Sequence, residues 1–238
     1  MRAEAASPES GHTPRGLADV ARRVFTHGPL LTRTLQHYRP YICPFEELLR
    51  FVPEGSRVLD IGCGGGLFGA LVCATRRPAR FVGFDSSRAA IDVARAGADA
   101  LRAGARSADD ASPAAVPEFL RLDVGAPWPD GPFDVVSIID VVHHIPPEHQ
   151  RAALQQAAAV LEPGGTFIYK DMTRRGIVRP LMNRVHDLAL ARQWIHYADL
   201  DRVQQWLTDA GLAVVHRAFL PRWWYGHELL VLRKGPAT

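Results

Sequence analysis

Nowhere in the 238 residues does an apolar run approach the ~20 needed for a membrane-spanning helix, so no bilayer span is expected. The opening stretch, MRAEAASPESGHTPRG, has no apolar core either; this argues against a secretory signal and predicts a disordered tail over residues 1–16. Cysteine is scarce. Cys43, Cys63 and Cys73 are odd in number and lack metal-ligand spacing, so they read as reduced thiols of a cytoplasmic protein, and no metal site is expected. There is no internal repeat. Charge of one sign is also lacking: the formal net charge of +3 does not by itself indicate nucleic acid. What remains is an ordinary globular composition, 47% apolar and 22% charged, long enough for one α/β domain over residues 17–238.

Short apolar runs alternate with longer helical patterns. RVLDI (57–61), RFVGFD (80–85), EFLRLD (118–123), FDVVSIID (133–140) and TFIYKD (166–171) read as strands. GLFGALVCA, SRAAIDVARAGA and PEHQRAALQQAAAVL carry apolar residues at helical spacing between them, and LEPGG (161–165) reads as a helix end before the fifth strand. Nearly continuous apolar strands separated by helices imply a parallel sheet covered on both faces. Residues 17–55 read as an N-terminal helical cap. The end of the chain breaks the rhythm. LAVVHRAFLP (212–221) and HELLVLRK (227–234) are joined by RWWYG, too short for a parallel crossover, so this pair must be an antiparallel hairpin.

RVLDIGCGGGLFGA (57–70) sets glycine-rich backbone between a buried strand and a helix, where a ligand can approach the main chain. A dinucleotide fingerprint would need a glycine at position 67, which is Leu67. Asp60 also places a carboxylate beside the turn, a good partner for an ammonium and a poor neighbour for a pyrophosphate. A nicotinamide oxidoreductase is therefore the least favoured reading.

VLDIGCGGG resembles the first motif of the class I S-adenosylmethionine-dependent methyltransferases. The resemblance extends through VGFDSS, LRLDV, FDVVSIIDVVHHI and LEPGGTFIYKD, covering about half the chain. It implies a Rossmann-like, seven-stranded, mostly parallel sheet with an antiparallel C-terminal hairpin strand, helices on both faces, and S-adenosyl-L-methionine as cofactor. In that family the glycine turn, with Asp60, Gly62, Cys63 and Gly64, faces the methionine part of the cofactor. Asp85 closes the second strand, where a carboxylate can accept from both ribose hydroxyls; the alternative is a helix cap, which Ser86 or Ser87 can supply instead. Asp123 matches the residue that contacts the adenine amino group in relatives, with Val124 nearby, or else is a turn aspartate. Asp140, ending strand four, either faces the methionine end or ties down its loop. In YRPYICPFEELL (38–49), Arg39 is placed to pair with the cofactor carboxylate and Tyr38 or Tyr41 to cover it.

Methyl transfer asks mainly for positioning, with a base only where the acceptor must lose a proton. The loop after strand four offers His143 and His144. In extended chain at most one would face the acceptor, with His144 slightly ahead; the alternative is that both merely pack the pocket. Residues 172–198 read as a helical insertion with Leu181, Val185, Leu188 and Leu190 at helical spacing. Its Arg174, Arg175, Arg179, Arg184 and Arg192 form either a solvated face or a docking patch for an anionic partner, such as an acyl or peptidyl carrier protein. Trp223, Trp224 and Tyr225 in the hairpin turn, with Trp194 and Tyr197, suggest an aromatic-walled substrate pocket, or else a homodimer contact.

These readings converge on a methyltransferase acting on a small, aromatic or polyketide-like acceptor. Oxygen is the expected atom, with carbon or nitrogen as alternatives, and the acceptor is either free or carrier-tethered. The rivals are an RNA or other nucleic-acid methyltransferase and a non-catalytic cofactor-binding partner subunit. The first lacks the Asn/Asp-Pro-Pro-aromatic signature of exocyclic-amine enzymes after strand four, which ends in DVVH.

Overall fold

The computed structural model describes residues 12–106, 115–173, 196, 198–223 and 225–236. Three helices come first: α1 (Pro14–Val24), α2 (Leu30–Ile42) and α3 (Phe45–Leu49). Thr13 caps α1 by accepting the Gly16 N–H at 3.1 Å, and Leu17, Val20, Ala21 and Val24 bury one face at helical spacing. Alternation follows: β1 (Arg57–Ile61), α4 (Leu67–Arg76), β2 (Arg80–Asp85), α5 (Arg88–Arg106), β3 (Glu118–Arg121) and β4 (Phe133–Ile139). The rest is α6 (Pro147–Ala159), β5 (Leu161–Met172), α7 (Leu200–Asp209), β6 (Leu212–Arg222) and β7 (Tyr225–Lys234).

The strands form one seven-stranded sheet in the order β3-β2-β1-β4-β5-β7-β6. The first five are parallel, and β7 is antiparallel to both β5 and β6. The hairpin deduced from the short RWWYG connection is therefore present, and it inserts β7 inside the edge. Alternate residues feed two cores. Val58, Val135, Ile168 and Leu229 pack with α1, α3, α4 and α5, whereas Leu59, Val136, Phe167 and Leu230 pack with α6 and α7. Each such fully buried aliphatic or aromatic side chain contributes about 1.5–3 kcal/mol. This two-sided burial is why the strands read as continuous apolar runs.

Two boundaries differ from expectation. LEPGG does not end a helix: α6 stops at Ala159, and these residues open β5, where the pairing with β4 shifts register between Phe133 and Val135. An irregular ladder tolerates the Pro and Gly that a regular one would not. Strand three ends at Arg121, which leaves Asp123 in the following turn. The sheet order reverses between β1 and β4, so the carboxyl ends of these neighbouring strands open a crevice.

Candidate functional site

The turn after β1 keeps glycine for two reasons. Gly62 has φ +68°, and a Cβ there would lie 2.4 Å from Val141 Cγ2. Gly64 has φ +53°, and a Cβ there would meet nothing within 4 Å, so its main chain faces open space. Gly66 then starts α4 in the left-handed region.

A cleft of about 980 Å³ opens over this turn, lined by Gly62, Gly64, Asp85, Ser86, Asp123 and Val124 among others. Asp85 Oδ2 accepts the Gly64 N–H at 3.0 Å and Oδ1 accepts the Ser87 N–H at 2.8 Å. Ser87 Oγ caps α5 by accepting the Ala90 N–H, and Asp85, which lines the cleft, has one further lone pair on each oxygen. Asp123 Oδ1 accepts the Gly125 N–H at 3.2 Å and its side chain is exposed. Cys63 and Asp60 lie beneath the turn. Asp60 is 2% exposed, lines neither large cavity, and accepts the Ser137 hydroxyl at 2.7 Å. Burial pushes its carboxyl up to about 7, outweighing the lowering by Ser137.

A second cavity of about 730 Å³ lies beside the first, and Arg39, Asp140 and His144 line both. Its walls come from α2, from α5, from the loop after β4, from the end of β5 and from the start of β7. Asp140 stands at the junction in the left-handed region, φ 57°, an uncommon backbone for a non-glycine residue. Lys170 Nζ donates to both its oxygens at 2.6 Å, while Arg39 Nη2 reaches Oδ2 only at 3.4 Å. Burial would raise the Asp140 carboxyl, but Lys170 and then Arg39 hold it below the usual carboxylate range. Lys170 itself has no exposed side-chain surface. Burial lowers its pKa, yet Asp140 more than compensates and keeps it above the ordinary lysine value.

The loop after β4 is one turn of 3₁₀ helix, Val142–His144. The extended chain assumed for the two histidines is corrected: in this tight turn both line the second cavity, with ring centroids 4.1 Å apart. His143 is buried and its Nδ1 hydrogen-bonds Asp171 Oδ1, while its backbone N–H donates to Asp171 Oδ2 at 3.3 Å. Gln150 Nε2 pins the loop, its two N–H groups shared among the carbonyl oxygens of Val142, Ile145 and His196 at 3.1, 3.1 and 3.0 Å. His144 is exposed at the junction, where the protein around it and His143 push its pKa down to about 4.

The hairpin turn divides its aromatics. Tyr225 is buried and lines the second cavity; Trp223, at φ 52°, is 67% exposed and lines neither cavity. Trp194, Tyr197 and Trp224 lie outside the described residues, as do Arg174, Arg175, Arg179, Arg184 and Arg192. On α2, Tyr38 and Arg39 line the second cavity, as Tyr41 does not.

Sequence reasoning missed Asp171, Lys170, Gln36 and His227. The first two had a signal: a Lys-Asp pair ending an apolar strand is out of place in a core unless both are partnered. Gln36 and His227 had none, because only the fold brings α2 and β7 to one cavity.

Residues 35–217 match the family model described as Methyltransferase domain. The chain is 30% identical over 173 residues to the ubiquinone biosynthesis O-methyltransferase of Alkalilimnicola ehrlichii, covering 68% of this chain and 62% of that one. It is 31% identical over 123 residues to the fatty-acid O-methyltransferase of Mycolicibacterium smegmatis, covering 51% of this chain and 39% of that one. The chain thus spans less than two thirds of the length of these relatives. The structure of magnesium protoporphyrin IX methyltransferase from Synechocystis PCC 6803 with bound SAH superposes with a TM-score of 0.61 at 17% identity. That match covers 91% of this chain and 94% of the other, a likeness of fold.

Proposed function

The chain belongs to the class I S-adenosylmethionine-dependent methyltransferases, and from that premise we propose that it methylates a hydroxyl oxygen of a small acceptor. The observation that carries this reading is the pair of cavities meeting at Asp140 and His144, the first with a lining suited to the cofactor and the second with a lining suited to an acceptor.

The residues of the first cavity suit the cofactor. Gly62 and Gly64 let a ligand approach bare backbone, the Asp85 carboxylate keeps acceptor capacity for a ribose diol, and Asp123 is exposed at the rim for an amino group. Because Lys170 takes both Asp140 oxygens closely and Arg39 makes only a long contact, Arg39 retains donors for a carboxylate. When bound, the cofactor supplies an electrophilic methyl group on a positively charged sulfur.

In the second cavity the His143–Asp171 pair supplies the base. With Nδ1–H given to Asp171, the lone pair of the neutral ring sits on Nε2, which takes the acceptor hydroxyl proton. Asp171 holds that tautomer and stabilises the imidazolium that results. Tyr225, Tyr38, Leu35 and Met172 supply apolar and aromatic surface suited to an aromatic or polyketide-like body. The O-methyltransferase names of both curated relatives support oxygen as the target. A carrier-tethered acceptor would bring its carrier to the arginines of the 172–198 insertion.

Calorimetric titration with S-adenosylmethionine and S-adenosylhomocysteine tests the cofactor half. Transfer of labelled methyl to a panel of phenols and aliphatic alcohols tests the acceptor half. Micromolar cofactor binding with label recovered as an ether is expected; a folded protein that binds neither cofactor form would defeat the reading.

A further inference from the structure

His227 is 3% exposed, lines the second cavity from β7, and plays no part in the proton transfer derived above. Its Nε2 contacts the Ile42 carbonyl oxygen at 2.7 Å. A carbonyl only accepts, so Nε2 must carry the hydrogen. Burial, then the Lys170 ammonium, push the ring down to about 3, so it is neutral near pH 7 and Nδ1 bears a bare lone pair. That Nδ1 is buried and has no hydrogen-bond partner. Gln36, 7% exposed on α2 and lining the same cavity, also leaves its Oε1 without one.

A histidine kept only for structure would have both ring nitrogens satisfied, since a buried polar atom left unpaired costs free energy. Here one nitrogen ties β7 to the end of α2, which fixes the ring and its tautomer, and the other is an acceptor without a donor. Tyr225, stacked on the ring with centroids 6.2 Å apart, holds its plane.

We infer that His227 is a specificity-determining residue of the acceptor cavity, recognising a ligand that presents an O–H or N–H donor to Nδ1. This rests on reading that cavity as the acceptor site. An acceptor with such a donor is held with its body in the cavity, whereas an isostere lacking it leaves Nδ1 unpaired and is rejected. The donor is distinct from the proton that His143 removes, so the favoured acceptor carries at least two donor groups.

The test uses the full chain labelled with nitrogen-15 in histidine, and phenol and toluene as probes of equal shape with and without a donor. His227→Gln keeps an N–H for the Ile42 carbonyl and deletes Nδ1. In the wild type the Nδ1 resonance should be that of an unprotonated ring nitrogen and should move on adding phenol but not toluene. Phenol should bind about tenfold more weakly to His227→Gln, with toluene affinity unchanged. A protonated Nδ1 in the free protein, equal phenol affinity in both proteins, or toluene bound as well as phenol would each overturn the inference. So would failure of both probes to bind up to their solubility limits. If His227→Gln does not fold, the wild-type resonances decide. S-adenosylhomocysteine titration separates the two readings. Cofactor binding with indifference to the donor defeats only the His227 role; donor recognition without cofactor binding defeats only the proposed reaction.

Discussion

The two halves of the cleft are built differently. Over the glycine turn, two of the polar contacts are local, Ser87 N–H to Asp85 and Gly125 N–H to Asp123, each two residues back, while Gly64 N–H reaches Asp85 21 residues along the chain. Around the second cavity they join distant chain: His227 to Ile42, Asp140 to Arg39 and Lys170, His143 to Asp171. Loss of solvent favours the neutral form in both halves: it raises Asp60 under the turn to about 7 and lowers His227 to about 3 and His144, at the junction, to about 4.

The largest expected effect breaks the acceptor half chemically. His143→Ala or Asp171→Asn should lower kcat by roughly 10²–10⁴-fold while calorimetry finds cofactor affinity unchanged. Equal losses of kcat and cofactor affinity would erase the distinction between the halves. Next, Lys170→Met leaves Asp140 buried without its main partner and should cost about 3–5 kcal/mol in urea denaturation near pH 7. A cost below about 1 kcal/mol would mean that Asp140 finds water or Arg39 instead.

In the other half, Asp85→Ala should leave the fold intact and weaken S-adenosylmethionine by about 2–4 kcal/mol, since it removes a charged acceptor of two hydroxyls. A folded variant with wild-type affinity would take Asp85 out of the site.

Acidity sharpens the comparison. Asp60 has a raised folded pKa, so between about 4 and 7 the folded state holds a proton that the unfolded state has lost. Its contribution to stability therefore declines as pH rises through that window, by up to about 1.4 kcal/mol per unit. The depressed His227 acts oppositely: the unfolded state holds the extra proton, and stability rises with pH between about 3 and 6.5. Asp60→Asn keeps an acceptor for Ser137 and should gain on the wild type steadily from pH 4 to 7. Parallel stability curves for the two proteins would show that Asp60 does not titrate there.

Smallest is Trp223→Ala. An exposed indole should change stability by less than about 0.5 kcal/mol, and the acceptor KM by less than tenfold. A shift from dimer to monomer in analytical ultracentrifugation would instead assign the turn to a second subunit.

The sequence by itself determined the sheet, the hairpin and the glycine turn. Alternating burial and glycine at positive φ are imposed by backbone geometry within a few residues, so they leave a pattern along the chain. Only the tertiary structure assembled the second cavity. The sequence set His144 slightly ahead of His143, whereas the reading proposed above favours His143, because that choice depends on Asp171, 28 residues away in the ladder beside β4. It could not raise His227 at all, since its partner Ile42 lies 185 residues off on another element. Asp140 had two readings along the chain; the structure buries it beside Lys170 where the two cavities meet. Long-range pairing of buried polar groups carries no period and no spacing, and so it becomes visible only once packing has excluded water from around them.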